Sequence, residues 1–167
     1  MRERIYIKDL KEHIGKEITI AGWLDVRRDQ GKMVFFELRD MTGKVQCVVL
    51  PTHKEVLEKA KEIRSEWVLM VKGLVQKRTD KNAEKGGGVE IEVLEIEILN
   101  KAETTPFPID VDTKGVNEDL RMKYKYLDLR SERMQKNIRM RDKVISFFRD
   151  FMHKNGFIEI ETPIMTK

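Results

Sequence analysis

Two short runs in the first third of the chain alternate strictly in polarity. In Val34–Asp40 a repeat of two sends Val34, Phe36 and Leu38 to one face and Phe35, Glu37 and Arg39 to the other. That alternation marks a strand with one buried face. Val45–Leu50 repeats it, with Val45, Cys47 and Val49 inward and Gln46 outward, close enough to flank Phe35. A large aromatic is thereby committed to the polar side of a sheet.

The neighbouring stretches predict the rest of a small domain. Arg2–Ile14 has Ile7, Leu10 and Ile14 at helical spacing, with Gly15 as a C-terminal cap. Glu17–Leu24 reads as a strand with Ile18 and Ile20 inward and Gly22 at a bend or bulge. Arg27–Lys32 is a basic loop, Met41–Lys44 a short turn, and Pro51 stops the Gln46 strand. His53–Arg64 places Val56, Leu57, Ala60 and Ile63 on one helical face. Trp67–Gln76 returns as a strand, and Thr79–Gly88 is a polar, glycine-rich loop. In Val89–Leu99 the apolar parity slips: Ile91 and Val93 alternate with Glu90 and Glu92, then Leu94, Ile96 and Ile98 take the glutamates' phase. Such a slip fits a bulge where a strand curls around a barrel.

Three strands, a helix, then two strands is the order of an OB-fold, a five-stranded Greek-key barrel. Its second and third strands and its first and fourth loops hold oligonucleotides. Here those are the Phe35 and Gln46 strands and the loops 27–32 and 79–88. The ring can stack a base, the amide read an edge and the cations hold phosphate. An exposed aromatic can also simply pair with an aliphatic across the sheet.

After Asn100 the texture changes. Residues 103–119, with Thr104-Thr105-Pro106-Phe107-Pro108 and Gly115, read as an ordered linker between a barrel at 1–102 and a second unit at 120–167. That unit has a short helix around Leu120–Leu129 and a long one around Glu132–Asn155. Met134, Ile138, Ile145, Phe148 and Met152 form a stripe on the long helix, and Gly156 terminates it. A strand, Phe157–Glu161, follows and Pro163 ends it. The only strand beside the stripe ends with the sequence, so this unit is not expected to close its own core. The fold class is β-rich α+β.

Composition narrows the function classes. Hydrophobic residues make up 40%, enough for a core, and the net charge of +4 points mildly to a polyanionic partner. One cysteine excludes a disulfide framework and suits the cytoplasm. No apolar run is long enough for a membrane span or signal peptide. Three scattered histidines give no metal-ligand spacing.

The stretch GWLDVRRDQGKMVFFELRDMTGKVQCVVL resembles the anticodon-binding domain of class IIb aminoacyl-tRNA synthetases. LRMKYKYLDLRSERMQKNIRMRDKVISFFRDFMHKNGFIEIETPIMTK is similar to the start of their catalytic domain, including motif 1. YLDLR, SERMQKNIRMR and ETPIMTK bring it nearest the bacterial aspartyl branch, with the lysyl and asparaginyl branches sharing the architecture. The resemblance implies that Phe35 stacks on the central anticodon base, that Arg28 is the family's loop arginine and Gln46 its third-strand glutamine. It also implies that Glu92, with Glu90 beside it, accepts bonds from base amino or imino groups. Each such contact is worth about 1–3 kcal/mol of discrimination. Two departures stand out: Val48 occupies a position that often bears a second aromatic, and the position bearing on acceptance of tRNA-Asn is Gln30.

The same resemblance implies tRNA-Asp, with tRNA-Asn open, as partner, and a parent enzyme that joins aspartate to tRNA using ATP and Mg2+. It implies a homodimer through motif 1, around Phe148, Phe151 and Pro163. The arginines that clamp ATP belong to motifs 2 and 3 and none falls in these residues, so no catalytic residue is assigned and the chain alone is expected not to aminoacylate. A lysine or asparagine ligase, or a stand-alone OB module binding RNA or single-stranded DNA, are the alternatives.

Overall fold

The alternation that opens the sequence is realised as a closed barrel. The computed structural model describes residues 4–78 and 88–163. Strands β1 (Glu17–Gln30), β2 (Met33–Arg39), β3 (Lys44–Val49), β4 (Val68–Lys77) and β5 (Val89–Asn100) close in the order β1-β2-β3-β5-β4, and helix α1 (Lys54–Glu62) lies between β3 and β4. Only β3 and β5 run parallel; the other described pairs are antiparallel. The inward parity holds: Val34, Phe36, Leu38, Val45, Cys47 and Val49 are all buried, with Ile91 and Val93 opposite them. Burial pushes the Cys47 thiol up, so it serves as a small core hydrophobe rather than a nucleophile. The phase slip on β5 is a register shift: Gly73 pairs Val93 but Lys72 pairs Glu95, leaving Leu94 as the extra residue and Ile96 buried.

Four sequence expectations are corrected. Arg27–Gln30 is not a loop but the continuation of β1, paired with Phe36, Phe35, Val34 and Met33. The turn is only Gly31–Lys32, with Gly31 at φ 60, the first-position left-handed residue a tight hairpin needs. Gly22 is not the bulge. The register shifts between Leu24 and Val26, and Gly22 is glycine because a Cβ there would run into the carbonyl oxygen of Arg39. The bulge points Asp25 inward, where it accepts from Arg39 Nη1 and Lys44 Nζ, both at 2.6 Å, while Arg39 Nη2 reaches Glu66 at 2.8 Å. Residues 7–13 form a 3-10 helix rather than an α-helix. Its start is tied to the β2–β3 turn by Ile7 N–H to Asp40 Oδ2 (2.9 Å) and Lys8 N–H to Thr42 Oγ1 (3.1 Å), and Ile14 is left exposed.

Contacts divide the chain into Met1–Thr104 and Thr105–Lys167. In the second unit the short helical pattern is two pieces, α2 (Glu118–Lys123) and α3 (Lys125–Asp128), before α4 (Glu132–Lys154). Asp128 is buried and accepts from Thr113 Oγ1 at 2.6 Å and Lys125 Nζ at 2.9 Å. Burial raises its carboxyl, but those two bonds and the charges of Lys125 and Arg121 outweigh it, so the group is held below the ordinary carboxylate range. Helix α4 ends in a Schellman cap, with Gly156 at φ 84, its N–H on His153 O and the Phe157 N–H on Met152 O. Ile138, Ile145, Phe148, Phe151 and Met152 are exposed along it. The fourth correction is Phe157–Glu161, which is not a strand: no other strand in this unit offers it a ladder among the described residues.

Candidate nucleic-acid interface

Alternation places Arg28, Gln30, Phe35, Gln46, Glu90 and Glu92 on the outer side of the barrel wall. The register then sets them side by side. Arg28 pairs with Phe35, Phe35 with Val48 and Val48 with Glu92, a row crossing β1, β2, β3 and β5. The next row runs Glu37, Gln46, Glu90, Gln76. Phe35 is half-buried and Val48 buried beside it. No other aromatic ring stacks on Phe35 among the described residues. Arg28 and Gln30 are exposed, and the Arg28 side chain makes no ion pair or hydrogen bond with another described residue.

Polar partners fix the middle of this surface. Gln46 Nε2 donates to Glu90 Oε2 at 3.1 Å, so the Gln46 carbonyl oxygen remains to accept from a ligand. Glu92 accepts from Gln76 Nε2 through Oε2, and His53 Nε2 stands 3.7 Å from its Oε1. Glu90 thus orients Gln46, and Gln76 orients Glu92. Neither Gln76 nor His53 was singled out from sequence. Gln76 shares the outward parity of β4 with Leu74, and its position at the strand's end was the available signal. His53 is adjacent to α1 and carries no periodicity that would reveal it.

An aromatic face flanked by an amide, carboxylates and an exposed guanidinium can stack a base, read its edge and neutralise phosphate. Part of the expected surface, 79–87 of the glycine-rich loop, lies outside the described residues. Phe148 and Phe151 are exposed on α4 and Pro163 is exposed outside regular structure. Among the described residues no group of three or more His, Cys, Asp or Glu side chains could hold a metal ion.

Comparison with known proteins matches residues 18–99 to the OB-fold nucleic acid binding domain and residues 117–167 to tRNA synthetases class II (D, K and N). The chain belongs to the class II aminoacyl-tRNA synthetases. Curated relatives include the aspartate–tRNA(Asp/Asn) ligases of Halothermothrix orenii, 46% identical over 93% of this chain, and of Natranaerobius thermophilus, 42% identical over all of it. The chain spans 27% and 29% of those two proteins, so it corresponds to only their N-terminal part. Among solved class II synthetases, an asparaginyl-tRNA synthetase of Pyrococcus horikoshii complexed with asparaginyl-adenylate superposes with a TM-score of 0.85 at 29% identity, covering 98% of this chain and 37% of that one. An aspartyl enzyme of Entamoeba histolytica gives 0.86 at 26%, covering 97% and 39%. This chain therefore carries the family's OB-fold nucleic acid binding domain. No helix among the described residues is long and apolar enough to cross a membrane.

Proposed function

We propose that this barrel reads the anticodon of tRNA-Asp and, in keeping with the names of the curated relatives, of tRNA-Asn. The observation that carries the reading is the row Arg28–Phe35–Val48–Glu92, with Gln46 and Glu90 directly beside it. Phe35 stacks the central base, and Gln46, held by Glu90, presents a carbonyl oxygen and an N–H to a pyrimidine edge. Glu92 accepts from base N–H groups, Arg28 holds phosphate, and Gln30 stands where tRNA-Asn is admitted or refused.

The barrel unit extends over 1–102, a linker over 103–119 and the start of the catalytic domain over 120–167. In the whole protein, aspartate and ATP give aspartyl-adenylate and pyrophosphate, and the aspartyl group then passes to the 3′ end of tRNA with release of AMP. ATP and Mg2+ are held by the rest of that protein. It is a cytoplasmic homodimer, and Phe148, Phe151 and Pro163 contribute to the dimer interface.

Filter binding of this chain to anticodon arms of tRNA-Asp, tRNA-Asn and tRNA-Lys tests the proposal. The aspartate and asparagine arms should bind more tightly than the lysine arm. Preference for the lysine arm would sink it.

A further inference from the structure

Strand β1 reaches past its neighbour. It pairs with β4 only over Glu17–Trp23, and from Val26 onward its described ladder is with β2 alone. The outermost stretch, which carries Arg28 and Gln30, therefore has one edge without a strand partner among the described residues. Arg27 stands on that edge. Its Nη1 donates to the carbonyl oxygens of Lys61 and of Ile63 (3.2 Å), with the oxygen of Ala60 at 3.5 Å, while Nη2 pairs with Asp29 at 3.1 Å. Those oxygens are the C-terminal end of α1, where carbonyls lack intrahelical partners and the helix dipole favours a cation. A guanidinium is the side chain whose several donors can serve such a cluster.

Arg27 pairs in register with Phe36, which is buried, so it lies on the opposite face of β1 from Arg28 and Gln30. We infer that Arg27 is a positioning residue for anticodon reading: its guanidinium clamps the open edge of β1 to α1 and so fixes where Arg28 and Gln30 meet the RNA. The inference rests on the anticodon reading above.

The test uses the whole chain with Arg27→Met, which keeps the stem, and Arg27→Lys, which keeps the charge. Binding of the matched anticodon arm and of arms with single base changes is measured across a salt series. Removing a residue that acts through others should lower matched-arm affinity about threefold to thirtyfold. It should also shrink discrimination between matched and changed bases, with the salt slope unchanged. Arg27→Lys should restore part of the discrimination, since an ammonium still donates to the carbonyls. If the log–log salt slope instead falls by about 0.7 while discrimination holds, Arg27 is a phosphate contact and the inference is overturned. Unchanged discrimination at an unchanged slope overturns it equally. Should Arg27→Met fail to fold, Arg27→Lys decides: reduced discrimination supports clamping, wild-type discrimination refutes it. A wild-type chain that cannot tell matched from changed arms would remove the anticodon reading itself. A discriminating wild type beside an equally discriminating variant would remove only the role of Arg27.

Discussion

Replacing Gly73 with alanine strikes the barrel where β4 passes behind Glu92. A Cβ on residue 73 would lie closer than 3.0 Å to both the carbonyl oxygen of Glu92 and Cγ2 of Ile91, and 3.2 Å from the Glu92 carbonyl carbon. Non-bonded carbons rest at about 3.5–4.0 Å, so roughly half an ångström or more must be found. Ile91 is fully buried, and a strand carbonyl cannot swing aside without losing its ladder bond. The backbone of β5 must therefore move. Residue 73 is not in the left-handed region, so crowding is the only obstacle. Overpacking of this kind costs about 1–3 kcal/mol, against a gain of about 0.4–1 kcal/mol from the stiffer unfolded chain. The net loss of about 1–2 kcal/mol should lower the melting temperature by about 4–8 °C per kcal/mol for a unit of this size. Because the same shift displaces Glu92, affinity for the anticodon arm should fall with it. A melting curve superimposable on that of the wild type would refute the reasoning, since β5 would then yield freely at this point.

Asp25→Ala should cost about 1.5–3 kcal/mol in urea denaturation, because Arg39 and Lys44 each lose a charged hydrogen bond to it while Arg39 keeps Glu66 and Lys44 keeps water; a loss below about 1 kcal/mol would contradict the network. Asp128 gives a pH dependence whose sign follows from its lowered pKa. The folded state binds fewer protons than the unfolded one, so its stabilisation is full above the ordinary value of 3.8 and is lost as pH falls through the lower folded value. The protection of the 128–131 amides against hydrogen exchange, taken relative to the intrinsic rate at each pH, should fall on acidification and hold on raising the pH above neutrality, and Asp128→Asn should flatten the acid response.

What was legible in the sequence follows period and parity. Phe35 was placed outward because Val34, Phe36 and Leu38 leave it no inward option, and the slip at Leu94 showed because a continuous apolar pattern changes phase there. The outer half of β1 was illegible for the converse reason. Its residues from Asp25 to Gln30 are nearly all charged or amide-bearing, and the bulge buries Leu24 and Asp25 consecutively, so no alternation survives. The 3-10 helix at 7–13 shares its i, i+3 spacing with an α-helix, and only the long-range bonds to Asp40 and Thr42 distinguish it. The orienting partners of the surface, Gln76 and His53, depend on neighbours distant in sequence and left no local pattern. Phe157–Glu161 has strand-like composition, but a strand is defined by a ladder, and no other strand lies in its unit among the described residues.

The most direct measurement compares Phe35→Ala and Phe36→Ala for binding of the tRNA-Asp anticodon arm and for the urea midpoint. Phe36 is buried and its truncation should cost about 3–5 kcal/mol of stability. Phe35→Ala should change stability by less than about 1 kcal/mol while weakening the RNA complex by about 1–3 kcal/mol. Unaltered RNA affinity in Phe35→Ala, or a loss of stability as large as that of its neighbour, would contradict a base-stacking role for the outward ring.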